Sequence, residues 1–219
     1  MFKRTQQRAQ DLRGRLRARL DEINQVRRIT WVAGLKTYPA DADLSRVMVQ
    51  GVNIFVMDKN SGRVYHHQLD EFQQALETAT ADNVLLSRGD LVGDVLVGDL
   101  VDMVWMPMGG GRQKSSLVIL ESEGSLLEYD PTTQELVPLK VAATETWEFA
   151  KLVGSYFGRF YVLDTTASII LRSQPTRDGY SSPPDSWLEG EGDLAGVIDM
   201  AIGDSIYLLN RDGQVRKFS

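Results

Sequence analysis

Four times along this 219-residue chain an apolar strand runs into a polar hairpin turn and on into a second strand. The copies lie at residues 53–65, 116–129, 159–171 and 205–218, and three of the turns carry a glycine, at Gly62, Gly124 and Gly213. The residues ending the first strands, Asp58, Glu121, Asp164 and Asn210, are 63, 43 and 46 positions apart. A period of roughly 40–50 residues built from antiparallel strands is the pattern of β-propeller blades, with an insertion in the first blade. The expected fold is therefore all-β: a β-propeller of about four blades, partial rather than a full ring, preceded by an N-terminal α-helix.

Each hairpin is preceded by a short strand, at residues 46–49, 101–105, 150–153 and 197–202, and these are expected to be innermost and to line the central channel. Outer strands are weaker in pattern, as suits short polar edges; the candidates are residues 83–87, 135–140 and 186–189. The first blade's extra length falls in residues 70–100, where residues 70–73 read as the start of a short helical turn carrying Phe72 and Leu76. After residues 214–218 the fourth copy has no outer strand of its own. Either residues 29–35, β-branched and aromatic, supply that strand and close the ring, or the chain is a piece of a longer propeller. An open assembly would leave two blade faces without neighbours, and self-association through them is expected.

Charge divides the chain. Residues 1–28 hold nine Lys/Arg against three Asp/Glu, a local +6 within a chain of net charge −6. They contain no proline and place Leu12, Leu16, Leu20 and Ile23 at helical spacing, so the division is a basic helical linker at 1–28 and propeller blades at 29–219. Arginines flank that narrow stripe. Nucleic acid or an anionic membrane surface is one reading, but no aromatic or glycine-rich nucleic-acid module accompanies the arginines, and a solvated linker helix is preferred. There is no cysteine, hence no disulfide or thiolate site. No apolar run reaches the roughly 18–20 residues of a membrane span, and residues 1–28 lack a signal-peptide core.

Candidate chemistry is sparse. The two histidines, His66 and His67, are adjacent on a strand and so point to opposite faces; they read as a surface strand end. Residues 109–116 suggest a phosphate loop, yet Gln113 rather than glycine precedes Lys114 and a strand follows, so a flexible hairpin connection is expected. Asp90, Asp94, Asp99 and Asp102 match no calcium-loop spacing, and Gly89, Gly93 and Gly98 read as turn residues. Asp102 and Asp199 occupy equivalent inner-strand positions and are the candidates at the channel mouth, with Met48 and Leu152 at the matching places of the other blades. Two carboxylates fall short of the three or four ligands of a metal-dependent propeller hydrolase, and bonding to backbone amides is the preferred role. Trp31, Trp105, Trp147 and Trp187 are expected to fill space between blades rather than to stack on sugars.

Residues 44–65, 100–107 and 125–131 resemble the propeller region of multidomain membrane proteins of filamentous Chloroflexi-type bacteria. In that family a cytoplasmic PPM (PP2C)-type phosphatase-like domain is followed by a membrane span, a helical segment and a propeller of about six blades. The resemblance runs from about residue 10 onward and rests on repeat motifs. It implies an extracytoplasmic location, on the outer face of the bacterial cytoplasmic membrane, with membrane contact only through segments this sequence lacks; the phosphatase domain and span are not among these residues.

The expected function is a non-enzymatic recognition or scaffold module of a larger sensor-like, membrane-associated protein, binding a protein or small-molecule ligand at one end of the channel. No catalytic residue, metal, cofactor or nucleic acid is expected. The alternative is a metal-dependent hydrolase or lyase of the propeller type, acting on a small molecule through Asp102 and Asp199.

Overall fold

The structure, a computed structural model, describes residues 2–26, 34–77, 83–147, 149–177, 179–188 and 193–218. Two compact units divide the chain, residues 1–37 and 38–219. In the first, α1 (Phe2–Ile23) follows from a run of strong helix formers without proline. Its apolar stripe of Leu12, Leu16, Leu20 and Ile23 is exposed. No helix among the described residues is long and apolar enough to cross a membrane.

The second unit consists of four antiparallel meanders. The first blade is β1 (Leu44–Gln50), β2 (Asn53–Asp58), β3 (Arg63–Gln68) and β4 (Val84–Ser87). A two-strand ladder, β5 (Leu91–Val92) with β6 (Val95–Leu96), leads to the second blade. That blade comprises β7 (Leu100–Met106), β8 (Ser116–Glu121), β9 (Leu126–Asp130) and β10 (Glu135–Pro138). The third is β11 (Ala150–Tyr156), β12 (Arg159–Asp164), β13 (Ile169–Ser173) and β14 (Asp185–Leu188), and the fourth is β15 (Val197–Ile202), β16 (Ile206–Asn210) and β17 (Val215–Phe218). The inner strands, the hairpin strands and the three outer strands expected at residues 83–87, 135–140 and 186–189 are present, within a few residues of their expected bounds.

Three buried clusters hold neighbouring blades together. Phe55, Met57 and Val64 of the first blade meet Met103, Ile119 and Leu127 of the second. Val118 and Leu120, on the opposite face of β8, meet Trp147, Val153, Phe160 and Val162. Leu152, Tyr161 and Leu163 then meet Met200, Ile206 and Leu208 of the fourth blade. Every residue of β8 is buried, because alternate side chains serve different interfaces. That two-sided burial is why the second strands read as continuous apolar runs. Among the described residues no such cluster joins the fourth blade to the first. Val47 and Val49 on β1 are 68% and 54% exposed, and Val215 on β17 is 62% exposed.

The hairpins share one device. Asp58 accepts bonds from the amides of Asp43, Asn60 and Ser61. Glu121 takes those of Gly98, Glu123 and Ser125, and Asp164 those of Thr166 and Ala167. Gly62, Gly124 and Gly213 all have positive φ, and in the third copy Ser168 takes the left-handed conformation instead. Three buried amide-binding carboxylates thus recur where the sequence pattern recurs, while in the fourth copy Asn210 is half-buried and accepts from Arg216, and Asp212 takes the Gln214 amide.

Several expectations change. The strand expected at residues 29–35 lies mostly outside the described residues; Gly34 and Leu35 are described and belong to no strand. Among the described residues β17 pairs with β16 alone. Residues 70–73 form no helix: Asp70 caps a turn through the Gln74 amide inside a Leu69–Leu76 bridge, and Phe72 is exposed. The 109–112 segment is a tight turn, closed by backbone bonds in both directions between Gly109 and Arg112, not a flexible link. A Cβ on Gly110 would come within 1.8 Å of the Phe157 carbonyl oxygen, so its glycine permits the close approach of the third blade's β11–β12 turn. Trp147 is fully buried between blades, donating to the Gly124 carbonyl, while Trp105 and Trp187 pack against interblade cores as expected. Trp31 lies outside the described residues.

Candidate functional site

Each inner strand opens with a register shift against its neighbour, between Leu44 and Arg46, Leu100 and Asp102, Ala150 and Leu152, and Val197 and Asp199. The residue after the shift is Arg46, Asp102, Leu152 or Asp199, and these four are structurally equivalent. The first blade's counterpart of the two aspartates is therefore Arg46 and not Met48. All four inner strands carry the same bulge, and Arg46 stands 12 residues before Asp58 as Leu152 stands 12 before Asp164, so counting back from the strand end aligns the first blade at Arg46.

Arg46 joins the two carboxylates. Its Nε and Nη2 donate to Asp102 Oδ1 and Oδ2 at 2.6 and 3.2 Å, and its Nη1 lies 2.8 Å from Asp199 Oδ1. Asp102 is buried and accepts a further bond from the Val153 amide at 3.0 Å. Asp199 is half-exposed and accepts from the Met200 amide at 2.9 Å. Burial opposes the guanidinium's charge, but bonds and charge from Asp102 and Asp199 outweigh it and raise the Arg46 pKa above its ordinary value. Residues of all four inner strands, among them Met48, Met103, Val153 and Met200, enclose a cavity of about 210 Å³ beside this cluster. The arginine fork matches carboxylate geometry, so the arrangement ties the first, second and fourth blades together at the axis.

The histidines differ from a surface strand end. They do point to opposite faces, but His67 is buried, with Nε2 2.6 Å from the Tyr38 hydroxyl and Nδ1 2.8 Å from Asn83 Nδ2. Burial raises the Tyr38 pKa to about 12. His66 stacks on Phe55 and meets Asn53 and Tyr129. Asp90 caps the Ser87 amide and Asp99 pairs with Arg88. No group of three or more metal-ligating side chains occurs among the described residues. Arg46 is the site residue that the sequence reading missed; its signals are a cation at the head of an apolar inner strand and a spacing to Asp58 equal to that of Leu152 to Asp164.

No family model and no curated protein matches the chain. Among solved structures it resembles PorZ, described as an essential bacterial surface component of the type-IX secretion system of Porphyromonas gingivalis. The identity is 13% and the TM-score 0.43, over 80% of this chain and 20% of that one. This chain thus spans about a fifth of that structure's length.

Proposed function

We propose that this chain is a non-enzymatic β-propeller module for recognition or scaffolding, part of a larger sensor-like, membrane-associated protein acting outside the cytoplasm. The observation that carries this reading is the Arg46 clamp. Asp102 has both oxygens engaged by the guanidinium and one also by the Val153 amide, so the carboxylates that a metal-dependent hydrolase would use are committed to holding blades together. The resemblance of the repeat motifs to a membrane-protein propeller supports the location and the larger context.

Two measurements test it. Arg46→Met should destabilise the fold by somewhat less than the ~3–5 kcal/mol typical of breaking a buried pair, since Arg46 keeps part of its solvation. Metal analysis and calcium, zinc and magnesium titrations of the purified chain should find no stoichiometric divalent ion. A tightly held ion that is lost in Asp199→Asn would favour the alternative, a metal-dependent hydrolase or lyase.

A further inference from the structure

The 109–114 turn, set aside above as a phosphate loop, forms one wall of a different cavity. About 420 Å³ in volume, it lies between the second and third blades, and it shares no lining residue with the channel cavity. Its opposite wall is formed by residues 175–177 and 179–180, docked by reciprocal backbone bonds: Tyr180 N to Lys140 O and Ala142 N to Tyr180 O. Gly179, with φ +115°, lies so close to the Lys140 carbonyl that a Cβ would come within 2.6 Å of it. The two walls are thus held by backbone geometry and not by side chains alone.

Cations dominate the lining: Arg112, Lys114, Lys140 and Arg177 against the single carboxylate of Glu128 among the described residues. That imbalance sits in a chain whose net charge is −6. Arg112 is buried and bonds Glu128, Ser116 and the Tyr180 hydroxyl, yet its Nε has no hydrogen-bond partner. Lys114 reaches Glu128 at 2.9 Å. Burial pushes the Glu128 pKa up, and bonds from Lys114, Ser116 and Arg112 more than reverse this, so the carboxylate stays charged and fixes both cations in place. Lys140 and Arg177 are exposed and have no ion-pair partner among the described residues. Pro138, Leu139 and Pro175 supply an apolar surface. The volume falls within the range of small-molecule sites, and convergent cations beside apolar walls suit an anionic head on an apolar body.

We propose that this cavity is a binding site for a small organic anion, a phosphate or carboxylate group carried on an apolar body. The fixed Arg112–Glu128–Lys114 cluster forms its floor, and Lys140 and Arg177 close on the ligand from the rim. The site is independent of the channel, and of whether the chain is a scaffold.

The test uses the full chain and three probes: phenyl phosphate, phenylacetate and, as an uncharged control, benzyl alcohol. Calorimetry and the amide signals of Gly111 and Gly179 should report saturable binding of at least one anion and none of the alcohol, weakening as salt rises. Stronger binding of phenyl phosphate assigns a phosphate ligand; equal or stronger binding of phenylacetate assigns a carboxylate. The Lys140→Ala/Arg177→Ala double variant should lose about tenfold or more in affinity and keep its unfolding midpoint, both residues being exposed; Lys140→Glu alone should lose a similar amount. Binding of neither anion, equal binding of the alcohol, or parental affinity in the folded double variant overturns the proposal.

Discussion

His66 shows how much a single side chain depends on its neighbours. Asn53 Oδ1 lies 2.8 Å from Nε2 and accepts its proton, leaving Nδ1 to accept from the Tyr129 hydroxyl at 3.3 Å, while the ring stacks on Phe55 at 4.6 Å. Burial first, and the nearby His67 second, lower its pKa below 6.5. A histidine that resists protonation when folded contributes stability that is present in full above the unfolded value near 6.5 and is lost as pH falls below it. The denaturant midpoint should therefore drop between about pH 7 and pH 5.5, and His66→Phe should flatten that drop. An unchanged slope in the variant would mean that other groups account for it. None of this surrounding was legible in the sequence, because Asn53 and Phe55 come from the neighbouring strand β2 and Tyr129 from β9 of the next blade. Asp58 and Asp164 stood in the sequence only as the ends of their strands; that they cap the turns, through amides two or three residues on, is what the structure adds.

At the scale of elements, β8 and β12 are the central strands of their blades. Ile119 faces the first blade and Val162 belongs to the core between the second and third. Both are almost wholly buried. Ile119→Asp or Val162→Asp places an unpaired carboxylate in an apolar interface and should cost roughly 3–5 kcal/mol. Equilibrium unfolding would show this; midpoints equal to the parent's would remove these residues from the core. The burial was readable in advance because neither strand alternates polar with apolar residues. The bulges at the inner strands were not readable; Met48 stood where Arg46 belongs for a different reason, an alignment of the first blade two positions off, although Arg46 keeps the 12-residue spacing to its strand end that Leu152 has. A one-residue register shift leaves no mark in composition.

For the propeller unit as a whole, the interblade cores number three for four blades among the described residues, and the outward faces of the first and fourth blades carry exposed Val47, Val49, Tyr207 and Val215. Tyr38 covers part of the first blade's outward face, packing on Tyr65 and bonding His67. Exposed apolar strands on a rigid sheet favour association. Sedimentation of the chain should show concentration-dependent oligomers. Replacing Val47 and Val49 by lysine should shift it towards monomer without lowering the unfolding midpoint. A concentration-independent monomer in the parent would show that these faces are inert.

What the sequence alone determined is what short-range chemistry encodes: four strand–turn–strand units, their buried middle strands, the glycines of three of the turns, and a basic helix set apart by charge. These depend on residues within a few positions of one another, so a repeat makes them visible four times over. Only the tertiary structure decided that Arg46 takes the first blade's place in the ring of equivalent positions, that it clamps Asp102 and Asp199, and that a glycine turn with no phosphate-loop signature walls a cationic cavity with a loop about 65 residues further on. Those features join residues of different blades, and their geometry is set by bulges and close backbone approach, to which the one-dimensional pattern is blind.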